Sequence, residues 1–370
     1  MQIVSVQILR ALAALVVAVG HAQGFILAPL EKLGEKTQHW TLLPWGAGVD
    51  LFFVISGFIM VYSSEELFGA PAAAKTFAWR RLARIAPLYW AATLVIVVKS
   101  LAQHRPLDPA GVLASFLFFP FDTHGDGMLR PIFELGWTLN YEMFFYAVFA
   151  GFIFLPRERA AATTALVLTG LVLLAAARPF SAAPLRFWSQ PIMLEFVLGM
   201  GVAILARREV ALSTPQRFAL IGLGALAFFY DYPDAAWGRP AISPDDFVRV
   251  LGWGAPAALM LAGCVLKLDE APAGARGLLE RAGKTLGDAS YALYLWHPMV
   301  MAVFAPAWLA LGLNGRLPAS IAILCCVALS AGAAIAIYRW FERPLTRRLQ
   351  AWRPSWIFGA AEVAPAAAKA

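Results

Sequence analysis

Ten apolar stretches, each near the roughly 17–25 residues that cross a bilayer, follow one another along the chain. They lie at about 5–28, 46–63, 85–102, 136–155, 161–177, 190–206, 217–230, 247–266, 287–312 and 318–341. Lipid offers no partner to a backbone N–H or C=O, so stretches of this kind are expected to be helices. The chain is therefore read as an all-α integral membrane protein with about ten transmembrane helices. Composition agrees: 60% of the 370 residues are hydrophobic and 14% are charged, against about 25% charged in soluble domains. The net charge of +7 is assigned to basic residues at helix ends, which set orientation in the membrane, and no nucleic-acid partner is expected. Cys264, Cys325 and Cys326 sit in apolar runs, without the spacing of a metal site or a disulfide framework.

Charge placement tests the helix count. The basic segments are KTFAWRRLAR (75–84), RER (157–159), RREVALSTPQR (207–217), KLDEAPAGARGLLERAGK (267–284) and ERPLTRRLQAWR (342–353). The loops near 29–45, 121–135 and 231–246 are neutral to acidic. Ten helices with both termini cytoplasmic place every basic segment inside. An eleventh apolar run, GVLASFLFFP (Gly111–Pro120), is too short to span and ends in proline, so it is expected to be interfacial or re-entrant. Counting it as a span would put the later basic loops outside. The opening MQIVSVQILR lacks the basic region of a cleavable signal peptide, so the first helix is expected to be retained. One transmembrane domain is expected over 1–345, then a basic and finally Ala-rich cytoplasmic tail over 346–370, with no fused extracytoplasmic domain.

Ionisable groups inside such helices are candidates for function. They are Arg10, His21, Asp50, Glu142, Glu195 and His297. In LRALAALVVAVGHA, Arg10 and His21 are eleven residues apart, which puts them on one helix face roughly 16 Å apart. The expected topology puts His21 and Glu142 roughly 10 Å below the outer surface, with Asp50 and Glu195 also in the outer half. A histidine beside carboxylates makes a general base, because a carboxylate on one ring nitrogen fixes the tautomer of the other. The alternative for each residue is helix–helix glue, worth about 0.6 kcal/mol per hydrogen bond.

In FAWRRLARIAPLYW (77–90), Arg80, Arg81 and Arg84 lie three or four residues apart and can converge on one ligand. Guanidinium forks suit phosphates, although topology alone also asks for basic residues here. In WGAGVDLFFVISGFIM (45–60), the small residues Gly46, Gly48, Ser56 and Gly57 either admit a thin ligand beside Asp50 or form a packing seam.

Taken together these residues resemble the membrane acyltransferase-3 family, which O-acylates sugars of bacterial surface glycans. The resemblance covers roughly 5–345. It is carried by QILRALAALVVAVGHA, GVDLFFVISGFIM, RRLARIAPLYW and the pair GWTLNYEMFFY and YLWHP, with LEFVLGM (194–200) and FERPL (341–345) in support. The short chain and its opening are similar to rhizobial exopolysaccharide acetyltransferases. The resemblance implies a multi-pass protein of the bacterial cytoplasmic (inner) membrane, with acyl-CoA (acetyl-CoA) as co-substrate and no permanently bound cofactor or metal. It implies as acceptor a polysaccharide or lipid-linked oligosaccharide, with membrane lipids around the protein; oligomeric state is left open.

That family's conserved residues map onto Arg10, His21, Arg80, Arg81, Arg84 and Glu142, and depth along the helices adds the other expected roles. Catalysis falls to His21, oriented by Glu142 or Asp50. The donor falls to Arg10, Arg80, Arg81, Arg84, Tyr89 and His297, its pantetheine arm passing the Gly-rich side of the second helix. The acceptor and oxyanion side falls to Trp137, Asn140, Tyr141 and Glu195. Direct transfer and a covalent acyl-histidine or acyl-serine intermediate are both open, with Ser56 read as packing before nucleophile; His297 lines a channel or packs. The competing class is a transporter or flippase of a lipid-linked glycan, for which mid-membrane polar residues would also serve. Against it, no paired pattern of broken helices appears.

Overall fold

The computed structural model describes residues 3–41, 44–229, 247–268, 277–352 and 354–358. The loop at 231–246, the middle of the basic segment at 267–284 and the Ala-rich end of the chain lie outside the described residues.

Among the described residues the α-helices are, in order, α1 Val4–Lys32, α2 Ala47–Ser63, α3 Ala73–Ala102, α4 Pro109–Phe116, α5 Trp137–Phe152, α6 Arg157–Ala177, α7 Ala183–Trp188, α8 Leu194–Arg207, α9 Thr214–Phe229, α10 Phe247–Arg249, α11 Ala255–Val265, α12 Leu278–Asp288, α13 Ser290–Ala310, α14 Ala319–Ile337, α15 Arg343–Ala351 and α16 Ser355–Phe358. A π-helical turn, Val250–Gly254, runs α10 into α11, and another, Tyr338–Glu342, runs α14 into α15. Among the described residues the only strands are Ala211–Leu212 and Lys267–Leu268, paired in parallel. The protein is an all-α membrane protein. Among the described residues six helical runs are long and apolar enough to cross a bilayer: Val4–Lys32, Ala73–Ala102, Arg157–Ala177, Phe247–Val265, Ser290–Ala310 and Ala319–Ala351. The other stretches read as spans are helical but shorter, from 17 residues in α2 to 14 in α8.

Two boundaries differ from the sequence reading in ways that bear on function. The span expected to begin at 85 begins at Ala73, so the arginine element is the first three turns of a 30-residue helix. Nothing between Ala73 and Pro87 breaks helical geometry, and Pro87 is accommodated within the helix. The run at 111–120 is the eight-residue α4, started by Pro109 and by the Asp108 carboxylate, which accepts from the amides of Ala110 and Gly111 at 3.0 and 3.3 Å.

The chain divides into two compact units, 1–63 with 167–338, and 64–166 with 339–370. In the first, α1 buries Ala13, Ala14, Ala18 and Ala22 completely or nearly so, and these small side chains let neighbouring backbones approach. A Cβ on Gly48 would strike the Ala13 carbonyl and Val17 of α1; one on Gly57 would strike the Phe196 carbonyl of α8; one on Gly199 would strike the Val54 carbonyl of α2. The seam between α1, α2 and α8 is thus backbone against backbone. In the second unit the core is aromatic: Phe77 and Tyr89 of α3 with Tyr141, Phe145 and Phe149 of α5, all nearly inaccessible. Trp79 donates its indole N–H to the carbonyls of Leu349 and Trp352, each at 2.9 Å, and so ties α15 to α3.

Candidate active site

In the first unit α1 and α13 run side by side and are pinned at two levels. At the lower one Arg10 donates from Nε and Nη2 to the Ser290 hydroxyl at 3.1 and 3.0 Å. At the upper one Nδ1 of His21 lies 3.0 Å from Nε2 of His297, with ring centroids 5.0 Å apart. The shared face predicted for Arg10 and His21 is therefore the face turned to α13.

The histidine pair has a definite proton arrangement. Nδ1 of His297 lies 2.8 Å from the Leu293 carbonyl, which can only accept, so Nδ1 carries the hydrogen. The neighbouring Tyr294 carbonyl also faces this ring; Pro298 has no N–H with which to cap it, since a proline removes the i→i−4 bond. With Nδ1 protonated, Nε2 of neutral His297 presents a lone pair and accepts from Nδ1–H of His21. That leaves the lone pair of His21 on its own Nε2. His297 is 1% exposed and His21 is exposed, so the free lone pair belongs to the accessible member. This is the tautomer a general base requires. The side chain that meets Nδ1 of His21 among the described residues is His297, which the sequence reading had placed along the donor path.

Asp50 is engaged elsewhere. Both of its oxygens accept from Arg249, Oδ1 from Nε at 2.8 Å and Oδ2 from Nη2 at 2.9 Å. Asp50 is 0% and Arg249 4% exposed, and the guanidinium lies 5.1 Å from the Trp253 ring in the π turn. Glu195 adjoins this pair, also fully buried, with neither oxygen meeting a donor among the described residues. It is a core carboxyl between α8 and the π turn, where Gly254 makes room for it. Sequence reasoning missed Arg249. Its signal was positional: a basic residue at the helix end that the charge rule assigns to the outside. The glycines of α2, closed against backbone, form a packing seam and leave no room there for a pantetheine arm.

The second unit holds the remaining candidates. Arg80, Arg81 and Arg84 are all half-buried on α3. The Arg81 guanidinium packs on the rings of Phe77 and Tyr146, 5.5 and 6.0 Å from their centroids, and its buried Nε has no acceptor among the described residues. The Tyr146 hydroxyl donates to Glu142, and both lie in the electrostatic neighbourhood of Arg81. Glu142 thus belongs to the arginine cluster, in a different unit from His21. Three guanidinium groups against one carboxylate leave an excess of positive charge suited to an oxyanion such as a phosphate. Trp137 and Tyr141 meet edge to face at 5.9 Å, Tyr141 and Asn140 are buried, and Trp137 is half-exposed. Tyr89 is a core side chain, stacked on Phe118 at 4.8 Å with its hydroxyl closed against Gly136.

Fold and site together define a multi-pass membrane protein that carries ionisable side chains within its helices. The family pattern described as an acyltransferase domain matches residues 3–361, and the chain belongs to the acyltransferase-3 family. It is similar to the exopolysaccharide production protein ExoZ of Rhizobium meliloti (strain 1021), 37% identical over 326 residues, which cover 86% of this chain and 95% of that protein. No solved structure matches it.

Proposed function

We propose that this acyltransferase moves an acyl group, acetyl in the first instance, from acyl-CoA at the cytoplasmic face of the bacterial inner membrane to a sugar hydroxyl of an exopolysaccharide or of its lipid-linked precursor. The observation that carries the reading is the His21–His297 pair, which holds a basic nitrogen on an exposed side chain inside a membrane helix bundle. Nε2 of His21 takes the hydroxyl proton as the sugar oxygen attacks the thioester carbonyl. The C–S bond then breaks, and the proton passes from His21 to the departing thiolate, giving the ester and free CoA. His297 keeps its own proton throughout and accepts from Nδ1–H of His21 while that ring is cationic. It is a positioning residue. Arg80, Arg81 and Arg84 hold the phosphates of the donor, with Glu142 and Tyr146 setting the Arg81 side chain. An exopolysaccharide as acceptor draws support from the rhizobial relative, an exopolysaccharide production protein.

The test is transfer of radiolabelled acetyl from acetyl-CoA by purified protein. His21→Ala is expected to lower kcat by about 10²–10⁴-fold. Arg81→Ala is expected to raise the donor KM about tenfold or more, the range of a charged hydrogen bond, without changing the acceptor KM. His297→Ala is expected to lower kcat and displace the acid limb of the pH profile, which a merely structural residue would not do. Wild-type turnover in purified His21→Ala would sink the scheme.

A further inference from the structure

A cavity of about 280 Å³ opens in the first unit, where the C-terminal ends of α1 and α13 meet the loop after α1 and the connection from α13 to α14. Its wall includes Trp40, Trp308, Glu35, Lys36, Gln38 and Asn314. We infer that this cleft binds a neutral sugar unit of the acceptor glycan, resting on the proposal that the protein O-acylates such a glycan.

Position is the first argument. The cleft is built on the two helices that carry the histidine pair, and on the same side of that pair along both. Leu27, in its wall, follows His21 by six residues, roughly 9 Å along α1. Trp308 follows His297 by eleven residues, three turns along nearly the same face of α13. The loop is also tied down next to the base. The Trp40 amide donates to Oε1 of buried Gln23, two residues from His21, at 2.5 Å, and the Trp45 indole donates to the Trp40 carbonyl at 2.7 Å. Across the cleft, the Asn314 amide donates to Glu35 at 2.9 Å.

Chemistry is the second. Two indoles with a few amide and carboxylate groups match a pyranose, whose C–H face packs on an aromatic ring and whose hydroxyls need both donors and acceptors. Trp308 is 7% exposed, and its indole N–H has no acceptor among the described residues. A buried donor left in that state costs about 1–3 kcal/mol. Charge argues against a phosphate: Glu35 offsets Lys36, and no arginine lines the wall.

The experiment titrates full-length protein with an oligosaccharide released from the de-O-acylated exopolysaccharide of Rhizobium meliloti, and separately with inorganic phosphate, by calorimetry. Acetyl transfer to the same oligosaccharide is measured in parallel. Trp40→Ala is expected to weaken oligosaccharide binding about tenfold or more. Trp308→Phe, which keeps a ring in place and guards against misfolding, is expected to weaken it about three- to tenfold. Both should raise the acceptor KM and leave the donor KM alone. His21→Ala should bind the oligosaccharide like wild type and fail to transfer. Wild-type affinity in both tryptophan variants, or competition by phosphate, overturns the cleft assignment while leaving acyl transfer standing. Tryptophan-dependent binding without transfer by the wild type keeps the cleft and sinks the acyltransfer reading on which its acceptor role rests.

Discussion

At the scale of single residues, the costliest arrangement is the buried Arg249–Asp50 pair, with the fully buried Glu195 carboxyl beside it. A buried pair of this kind adds little net stability when intact, but removing one partner strands the other, at about 3–5 kcal/mol. Arg249→Gln should therefore lower thermal stability in detergent severely. Arg249→Gln combined with Asp50→Asn should recover part of that loss, since the stranded charge goes with it. Equal melting temperatures for wild type and Arg249→Gln would show that the pair is not buried as described.

At the scale of elements, the glycines separate packing from passage. A Cβ at Gly199 has backbone of α2 on it, while one at Gly201, a turn's half away on the same helix, meets nothing within 4 Å. Gly199→Ala is expected to destabilise by about 1–3 kcal/mol through overpacking. Gly201→Ala should be neutral or gain roughly 0.5–1 kcal/mol of helix propensity. A melting temperature for Gly199→Ala at or above that of Gly201→Ala would reopen the seam as a ligand path.

The loop after α4 carries a different device. The Asp122 carboxylate accepts from the amides of Gly125 and Gly127 at 2.7 and 2.8 Å, and from Asp126 at 3.2 Å. Both glycines have positive φ, 70° and 81°, which brings those amides round to face it. The bond from Gly127 is the main reason its pKa is lowered. With the folded value below the unfolded one of about 3.9, the stabilisation is present above that value and is lost as pH falls through the lowered one. Protection factors of these amides by hydrogen exchange should hold from neutral pH to about 4 and collapse below, and should be low throughout in Asp122→Ala. Unchanged protection in that variant would overturn this account.

At the scale of the molecule, much was legible because a bilayer restricts the choices. Helices at all ten apolar stretches follow from the absence of backbone partners in lipid, and the common face of Arg10 and His21 follows from helical periodicity alone. The partners were not legible. His297 meets His21 across 276 residues and Arg249 meets Asp50 across 199, and periodicity says nothing about which of two distant faces will meet. A carboxylate partner for His21 was the natural expectation from acid–base chemistry; the structure brings it a second histidine, whose own ring is held by the Leu293 carbonyl one turn back. The expected topology has its own test. A cysteine introduced at Gln38 should react with an impermeant thiol reagent in intact cells and one at Arg208 only after permeabilisation; the reverse pattern would invert the orientation proposed here.

The pinning of α1 by α13 also has a consequence in time. Ser290 and His297 are made 280 and 276 residues after the groups they receive. At about 5–20 residues per second, α1 waits roughly 15–55 s after synthesis before either partner exists. During that interval the Ser290 hydroxyl and the His297 ring that later meet Arg10 and His21 are absent. The contacts that pin α1 to α13 therefore form only near the end of translation, and a chain stalled before Ser290 lacks both of them.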